Sequence, residues 1–500
     1  MALSFSASNP AEMPNVLLII TDQHRADCLG CYGNGRIDTP NIDRIAREGV
    51  RVDRAYVTNP LCTPSRASIL TGQSVSGHGA WNLGVPLPEG TRTLPEALAE
   101  CGYRTGAIGK VHLTPQVAGC PEFPENEDFW NRDPEPEWRG PYFGFEWVDL
   151  FVGHQKLIGH YGQYIKHRFP DLVDRYDRRY ALDVPTGAPH SWKCGFPLAH
   201  HSCTWICERT LDFLRRQDER PFFVQCSFPF PHFPFAPPSP YCDQYDPNAM
   251  ELPEQREGDL EGKPSHVMDY FRAKGGEGPL CEVTDAQKRE IVAHTYGMIG
   301  LVDDLVGRIL DTLDELAVTD NTIVVFCSDH GELLFDHGLL KKGPYLYEGL
   351  VRVPLLWRWP EGLPRGRTVD GLFSLADLAP TVLEMLGMNA WPEIEGRSQV
   401  PVLRGEAQSV RDAALVEYYH GRRTARDGMR LKALVMDQWK LIHYPGELYG
   451  ELYDLEADPG EFENRFDHPE DAGVRDRLMA RLQDEWVERD ESFGPRLSSA

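Results

Sequence analysis

The run Leu61-Cys62-Thr63-Pro64-Ser65-Arg66-Ala67-Ser68-Ile69-Leu70-Thr71-Gly72 sets a cysteine and an arginine four positions apart at the predicted start of a helix. Proline in the first turn removes no hydrogen bond, and the free N–H groups there favour a negative charge beside Cys62. A cysteine so placed is either a reactive group or a buried structural residue, because its surroundings decide its reactivity. Two other stretches carry ligand chemistry: Thr21-Asp22-Gln23 and Ser328-Asp329-His330-Gly331, each following a run of apolar, mostly β-branched residues. Asp22 and Asp329 offer hard oxygen ligands, Gln23 an amide oxygen and His330 a ring nitrogen, a set that suits one divalent cation. Taken singly, either acid reads as well as a helix cap or turn former.

These residues need elements to bring them together. Asn15-Val16-Leu17-Leu18-Ile19-Ile20 and Thr322-Ile323-Val324-Val325-Phe326-Cys327 read as strands buried on both faces, the kind found in a parallel sheet covered by helices. Each delivers its acid at the C-terminal end, where open α/β sheets place their sites. Thr39 to Gly49 predicts a short amphipathic helix, with a threonine cap, proline in the first turn and Ile42, Ile45 and Ala46 on one face. Leu94 to Glu100, Ser202 to Arg215 and Asp285 to Leu316 predict further helices, and Thr105 to Ile108 and Phe222 to Ser227 further strands. From about Cys120 to Leu280 the chain is otherwise irregular and rich in Pro, Trp, Phe and acids, as expected of an insertion that builds a substrate mouth. Past Gly405, Leu431 to Met436, Trp439 to Tyr444 and Leu452 to Asp454 predict short antiparallel strands, followed by a helix from Val474 to Arg489. The expected architecture is α/β, with a large catalytic domain over residues 14–404 and a smaller α+β domain over residues 405–500.

A chain of 500 residues has room for that division. Its net charge of -25 argues against a nucleic-acid partner and against a long polyanionic substrate, while a local basic pocket can still hold one small anion. Twelve cysteines at irregular spacing do not form a disulfide framework. Cys28-Leu29-Gly30-Cys31 is a C-x-x-C with no second pair at zinc-site spacing, and reads as incidental. Met1 to Pro14 lacks the basic start and apolar run of a signal peptide, and no later stretch approaches membrane-spanning length. The expectation is a cytoplasmic protein with reduced thiols and no membrane partner.

Taken together, the motifs resemble the sulfatase family. The Cys62 run is similar to the family signature Cys-x-Pro-Ser-Arg. Thr21-Asp22-Gln23, Gly109-Lys110-Val111-His112, Pro231-His232-Phe233-Pro234, Ser328-Asp329-His330-Gly331, Lys342-Gly343 before Tyr347-Glu348-Gly349, and Asp377-Leu378-Ala379-Pro380-Thr381 follow in family order. The resemblance implies an alkaline phosphatase-like fold, a mixed, mainly parallel sheet sandwiched by helices, and hydrolysis of a small sulfate monoester to an alcohol and inorganic sulfate. It implies that a formylglycine-generating enzyme oxidises Cys62 to formylglycine, whose hydrate is an oxygen nucleophile. Asp22, Gln23, Asp329 and His330 would then bind the cation, together with an oxygen of converted Cys62 or of the sulfate. Arg66 and Lys110 would hold the hydrate, and His112 would assist deprotonation of the hydroxyl that expels sulfate. His232 and Lys342 would grip sulfate oxygens and supply the proton for the leaving alcohol, and Asn82 would be a further sulfate contact.

The chain also departs from the commonest family pattern, in which two adjacent aspartates follow the first strand and aspartate-asparagine the later one. Asp22-Gln23 with Asp329-His330 resembles the branch containing phosphonate monoester hydrolases and some choline and aryl sulfatases. Ca2+ is the expected ion, with Mn2+ in competition because an imidazole replaces an oxygen donor. The rival reaction is hydrolysis of a phosphonate monoester or phosphodiester by the same nucleophile. Lys110 and His112 weigh toward the sulfate ester, since phosphonate hydrolases carry neutral hydroxyl residues there. A reading from another class is a non-catalytic binding protein that keeps the fold without converting Cys62. Phe129, Trp130, Trp138, Tyr142, Phe143, Phe145 and Trp147 either stack on a sugar or aryl group or simply pack. The C-terminal segment mediates assembly in some family members, which makes a homo-oligomer one of the expected partnerships.

Overall fold

The structure, a computed structural model, describes residues 13–132, 134–154, 156–216, 218–272, 280–421, 428–487 and 497. Its strands in chain order begin with β1 (Asn15–Asp22), β2 (Val50–Val52), β3 (Ala55–Tyr56), β4 (Arg104–Gly109) and β5 (Trp147–Val152). They continue with β6 (Phe222–Pro231), β7 (Thr322–Ser328), β8 (Leu355–Arg358), β9 (Arg367–Val369) and β10 (Phe373–Ser374). β3 and β10 pair with each other, and the other eight form one sheet in the order β5-β4-β6-β1-β7-β8-β2-β9. From β5 to β7 every pairing is parallel; β8 runs antiparallel to both β7 and β2. The sheet is therefore mixed and mainly parallel.

Alternation along the two central strands explains why both faces must be covered. Val16, Leu18 and Ile20 of β1 join one apolar layer with Ile323 and Val325 of β7, while Leu17 and Ile19 join the other with Val324 and Phe326. Burying each such side chain stabilises by about 1.5–3 kcal/mol, and period-two alternation with no polar face leaves neither side free for water. Helices Cys62–Thr71, Leu94–Glu100 and Leu378–Met385 cover the first layer. Pro40–Arg47, Ser202–Leu214 and the 31-residue Asp285–Glu315 cover the second.

Two expectations need correction, and one choice left open, the role of the aromatic cluster, is answered by its packing. Thr39 does not cap Pro40–Arg47, because its hydroxyl donates to Asp43. The N–H groups of Asn41 and Ile42 go instead to Asp303 of the long helix, at 3.1 and 2.7 Å, so the cap is made in three dimensions. The stretch between Cys120 and Ser202 contains an edge strand, β5, and helix Gly159–Arg168. Asp149 interrupts the apolar run of β5 and is buried nonetheless, since Arg139 and the Trp147 indole N–H pair with it. The aromatic cluster packs on itself: Phe129 meets Trp130 at 5.3 Å between ring centroids, Trp138 meets Tyr142 at 5.6 Å, and Phe145 stacks on Phe223 of β6 at 5.9 Å.

The C-terminal sheet holds four antiparallel strands, β11 (Ala413–His420), β12 (Met429–Met436), β13 (Trp439–His443) and β14 (Gly450–Asp454), where three were expected. Helix Ala472–Val487 lays Leu478 and Leu482 against Leu415, Leu434, Leu441 and Leu452; the expected helix end at Arg489 lies outside the described residues. This sheet is tied to the large one by buried polar contacts. Glu417 N–H donates to Thr58 O at 2.8 Å, and Lys440 pairs with Glu348 at 3.1 Å and with Glu461.

Asp377 makes another such tie. Fully buried, it accepts from the N–H groups of Ser374 (2.9 Å) and Arg397 (2.8 Å), from the Gln399 amide (2.8 Å) and from the Arg411 guanidinium, which donates through both Nε and Nη2. Truncating one member of a buried ion pair strands the other. Asp377→Ala is expected to lower stability by about 3–5 kcal/mol, read as a shift of the denaturant midpoint; a change under about 1 kcal/mol would show that Arg411 finds another partner.

Candidate active site

Sheet order assembles the site. The five adjacent strands β5, β4, β6, β1 and β7 each deliver one side chain at or just past the C-terminal end: His154, Lys110, His232, Asp22 and Asp329. The glycines of two motifs have steric reasons. Gly109 has φ +97°, and a Cβ there would lie 2.0 Å from Ser227 O. A Cβ on Gly331 would lie 2.0 Å from Gly349 O, so the turn after β7 can press against Tyr347-Glu348-Gly349 only as glycine.

Helix Cys62–Thr71 supplies the sixth and seventh groups. Its ten residues are all buried, and it starts from an extended Leu61 whose N–H donates to Asn59 Oδ1 at 2.8 Å. Asn59 in turn donates to Glu417 O of β11 at 2.7 Å, so the C-terminal sheet holds the approach to Cys62. Ser65 Oγ donates to Asp329 O, and Arg66 spans the site. Its Nε meets Asp329 Oδ2 at 2.7 Å, and its Nη1 donates to Lys110 O and Ser227 Oγ, both at 2.8 Å.

Cys62 Sγ lies at the centre. Lys342 Nζ is 3.0 Å away, His330 Nε2 3.3 Å, Lys110 Nζ 3.4 Å and Asp22 Oδ1 3.7 Å. Lys110 also pairs with Asp22 Oδ2 and meets His154 Nε2 at 3.0 Å. Lys342 also meets His330 Nε2 at 3.0 Å and His232 Nε2 at 3.1 Å. His154 and His232 stack in parallel, 3.6 Å between centroids. His112 has a buried Nδ1 without a partner, and its backbone N–H donates to Glu125.

Charge follows from these distances. Burial pushes the Asp22 carboxyl up, but Lys110 and the other cations outweigh it and hold it well below the usual carboxylate range. Burial, then neighbouring positive charge, keeps His112, His154 and His232 well below 6.5, so all three are neutral at pH 7. His330 is raised, because Asp329 and Cys62 outweigh burial and Lys342. Burial and Asp22 both push the Cys62 thiol up, yet Lys110, Lys342 and His330 overcome them and hold it at about 5. Burial drives Cys28, Cys203, Cys226 and Cys327 the other way, which sets Cys62 apart.

The donor set also fits a divalent cation. Asp22, Cys62, Asp329 and His330 offer ligand atoms that all lie within 4.8 Å of one another, and Gln23 Oε1 is buried with no hydrogen-bond partner. Of the residues expected at the site, Asp22, Cys62, Arg66, Lys110, His232, Asp329, His330 and Lys342 form one hydrogen-bonded group. Asn82 does not join it: its Nδ2 donates to Tyr419 O and its Oδ1 accepts the Leu83 N–H, both at 2.7 Å, which occupies both ends of the amide. His154 was not foreseen. Its signal was the apolar Val148 to Val152 run ended by Gly153-His154, masked by Asp149 within it.

Comparisons with known proteins agree over most of the chain. A family model described as Sulfatase matches residues 14–388, and one described as N-sulphoglucosamine sulphohydrolase, C-terminal, matches residues 335–488. An arylsulfatase of Clostridium perfringens is 31% identical over 495 residues, covering 96% of each chain. An N-acetylglucosamine-6-O-sulfatase of Bacteroides thetaiotaomicron is 28% identical over 528 residues, covering 96% of this chain and 88% of that one. Among solved structures, the phosphonate monoester hydrolase of Agrobacterium radiobacter superimposes with a TM-score of 0.82 at 28% identity, covering 95% of this chain and 96% of that one.

In protein with an unconverted thiol at position 62 and no divalent cation, thiolate absorbance, taken as the difference from Cys62→Ala, is expected to titrate with a midpoint near 5. Lys342→Ala should raise that midpoint by about one unit or more. A midpoint near the ordinary thiol value would show that the two lysines do not face the sulfur.

Proposed function

This chain belongs to the sulfatase family and is a sulfuric ester hydrolase, and we propose that its nucleophile is formylglycine made from Cys62 by a maturation enzyme. The supporting observation is the position of Cys62, a residue 1% exposed whose Sγ is surrounded by Lys342, Lys110 and His330, with carboxylates beside it from two adjacent strand ends far apart in sequence. That sulfur stands where the oxygens of the formylglycine hydrate would lie. The hydrate supplies two hydroxyls on one carbon, one to attack sulfur and one whose deprotonation releases sulfate. Asp22, Gln23, Asp329, His330 and the side chain at position 62 would hold a divalent cation, which would supply Lewis acidity for the anionic ester. The carboxylates favour Ca2+, and the His330 imidazole admits Mn2+.

The chain's own residues do the rest. Lys110 and Lys342 turn from position 62 to the incoming sulfate oxygens, where positive charge offsets the repulsion between an anionic ester and an oxygen nucleophile. Arg66 keeps Asp329 in place and adds a charge behind the nucleophile. Neutral His112 accepts the hydroxyl proton. His232 has its Nδ1 tied to Phe233 O at 2.5 Å, and its Nε2 receives Lys342, so the proton for the departing alcohol is carried by Lys342. Asn82 has no part in this scheme. The relatives' names point to aryl and amino-sugar sulfates as the first substrates to test. All twelve cysteines are unpaired, which supports a reducing, cytoplasmic setting; among the described residues no helix is long and apolar enough to cross a membrane.

The likeness to a phosphonate monoester hydrolase supports a second reading, in which the same nucleophile cleaves phosphonate monoesters or phosphodiesters. A side-by-side assay separates the two. Protein matured with a formylglycine-generating enzyme should release sulfate from an aryl sulfate over many turnovers and faster than it cleaves an aryl phosphonate ester, and Cys62→Ser should stop after one turnover at most. Faster phosphonate cleavage reverses the order, and multiple turnover by Cys62→Ser removes formylglycine from the scheme. Lys342→Ala should lower kcat by about 10²–10⁴ on alkyl sulfates, which need a proton on the leaving oxygen, and much less on nitrophenyl sulfate. Equal losses on both would leave Lys342 a role in offsetting charge, not in donating the proton.

A further inference from the structure

One buried carboxylate beside the site neither faces Cys62 nor belongs to the cation's ligand set. Glu332, 2% exposed, lies three residues past Asp329. Its Oε2 accepts a hydrogen bond from Gln23 Nε2. Its Oε1 accepts the backbone N–H groups of Leu334, at 3.1 Å, and of Lys341. A single side chain thus joins the residue after Asp22 to the loop that carries Lys342.

Hydrogen-bonding capacity gives this arrangement its consequence. A carboxylate only accepts, whereas an amide has a donor end and an acceptor end. Glu332 therefore draws Gln23 Nε2 toward itself and leaves Gln23 Oε1 at the other end, buried and without a partner. An unpartnered carbonyl oxygen next to Asp22 is an unfavourable arrangement for a folded chain unless a positive group completes it. A carboxylate at position 23 would present oxygen whichever way it turned, but an amide must be held.

We propose that Glu332 is a positioning residue that locks the Gln23 amide with its oxygen presented to the cation and keeps that ligand in register with the Lys342 loop. The inference rests on the cation site described under the proposed function. It concerns the orientation of one ligand, not the reaction.

The test is calorimetric titration of Ca2+ and of Mn2+ into chelator-stripped, full-length protein with Cys62 unconverted. Three forms are compared: wild type, Glu332→Gln, and the double variant Gln23→Glu/Glu332→Gln. Glu332→Gln keeps Oε1 for the Leu334 and Lys341 N–H groups but offers Gln23 an NH2, so the Gln23 amide must turn its oxygen away from the cation. Affinity should fall by about tenfold or more. In the double variant a carboxylate at position 23 accepts from the amide at 332 with one oxygen and gives the other to the cation, so affinity should return to within about threefold of wild type. Thermal unfolding of the cation-free forms reports whether each is folded. Unchanged affinity in Glu332→Gln, or a folded double variant that binds no better than the single one, overturns the inference while leaving the cation site standing. Should Glu332→Gln fail to fold, the double variant decides alone, wild-type affinity supporting the inference and a loss overturning it. Wild-type protein that binds neither ion overturns the reading of the site itself, and the inference with it.

Discussion

Two carboxylates of like charge, Asp22 and Asp329, are fully buried within reach of one another, and this constraint governs the rest of the site. Taking a carboxylate out of water costs several kcal/mol, and a second one nearby adds repulsion. The structure answers with Arg66 on Asp329, Lys110 on Asp22 and Lys342 close behind. Arg66 and Lys110 sit on the strand-end acids they neutralise, and Lys110 and Lys342 face Cys62. The depressed thiol, the neutral histidines and the room for a divalent ion are consequences of one balanced cluster inside a chain of net charge -25.

That cluster needs β1 to sit between β6 and β7, because only adjacent parallel strands bring their C-terminal ends together. It also needs helix Cys62–Thr71 seated over those ends. The C-terminal sheet contributes to this seat through Asn59 on Glu417 O, while Asp377–Arg411 and Lys440–Glu348 lock the two parts elsewhere. The smaller sheet is therefore part of the scaffold that aims the nucleophile, and its buried ion pairs hold geometry as much as they add stability.

Much of this was legible in order of strength of local signal. β1 and β7 carry unbroken apolar runs and read clearly, and the apolar period from Asp285 to Leu316 marks the long helix. β5 was hidden by Asp149 and β11 by Glu417, two buried acids whose partners, Arg139 and Lys432, are invisible to a periodicity argument. His154 was missed with β5. Asn82 stands outside the hydrogen-bonded group around Cys62, its amide engaged by Tyr419 O and the Leu83 N–H, which no local signal reveals.

By itself the amino-acid sequence determined the element types, the motif residues and hence the chemistry on offer: a cysteine at a helix start, oxygen ligands at two strand ends, lysines and histidines in between. Local periodicity and residue type carry that information, because they depend on neighbours a few positions away. Only the tertiary structure decided which strand lies beside which, that Lys342 reaches Cys62 across 280 residues, and that the thiol there is held at about 5 while other buried thiols rise. Strand order and electrostatic environment are set by partners far away along the chain, and a charge has no effective pKa until those partners are in place.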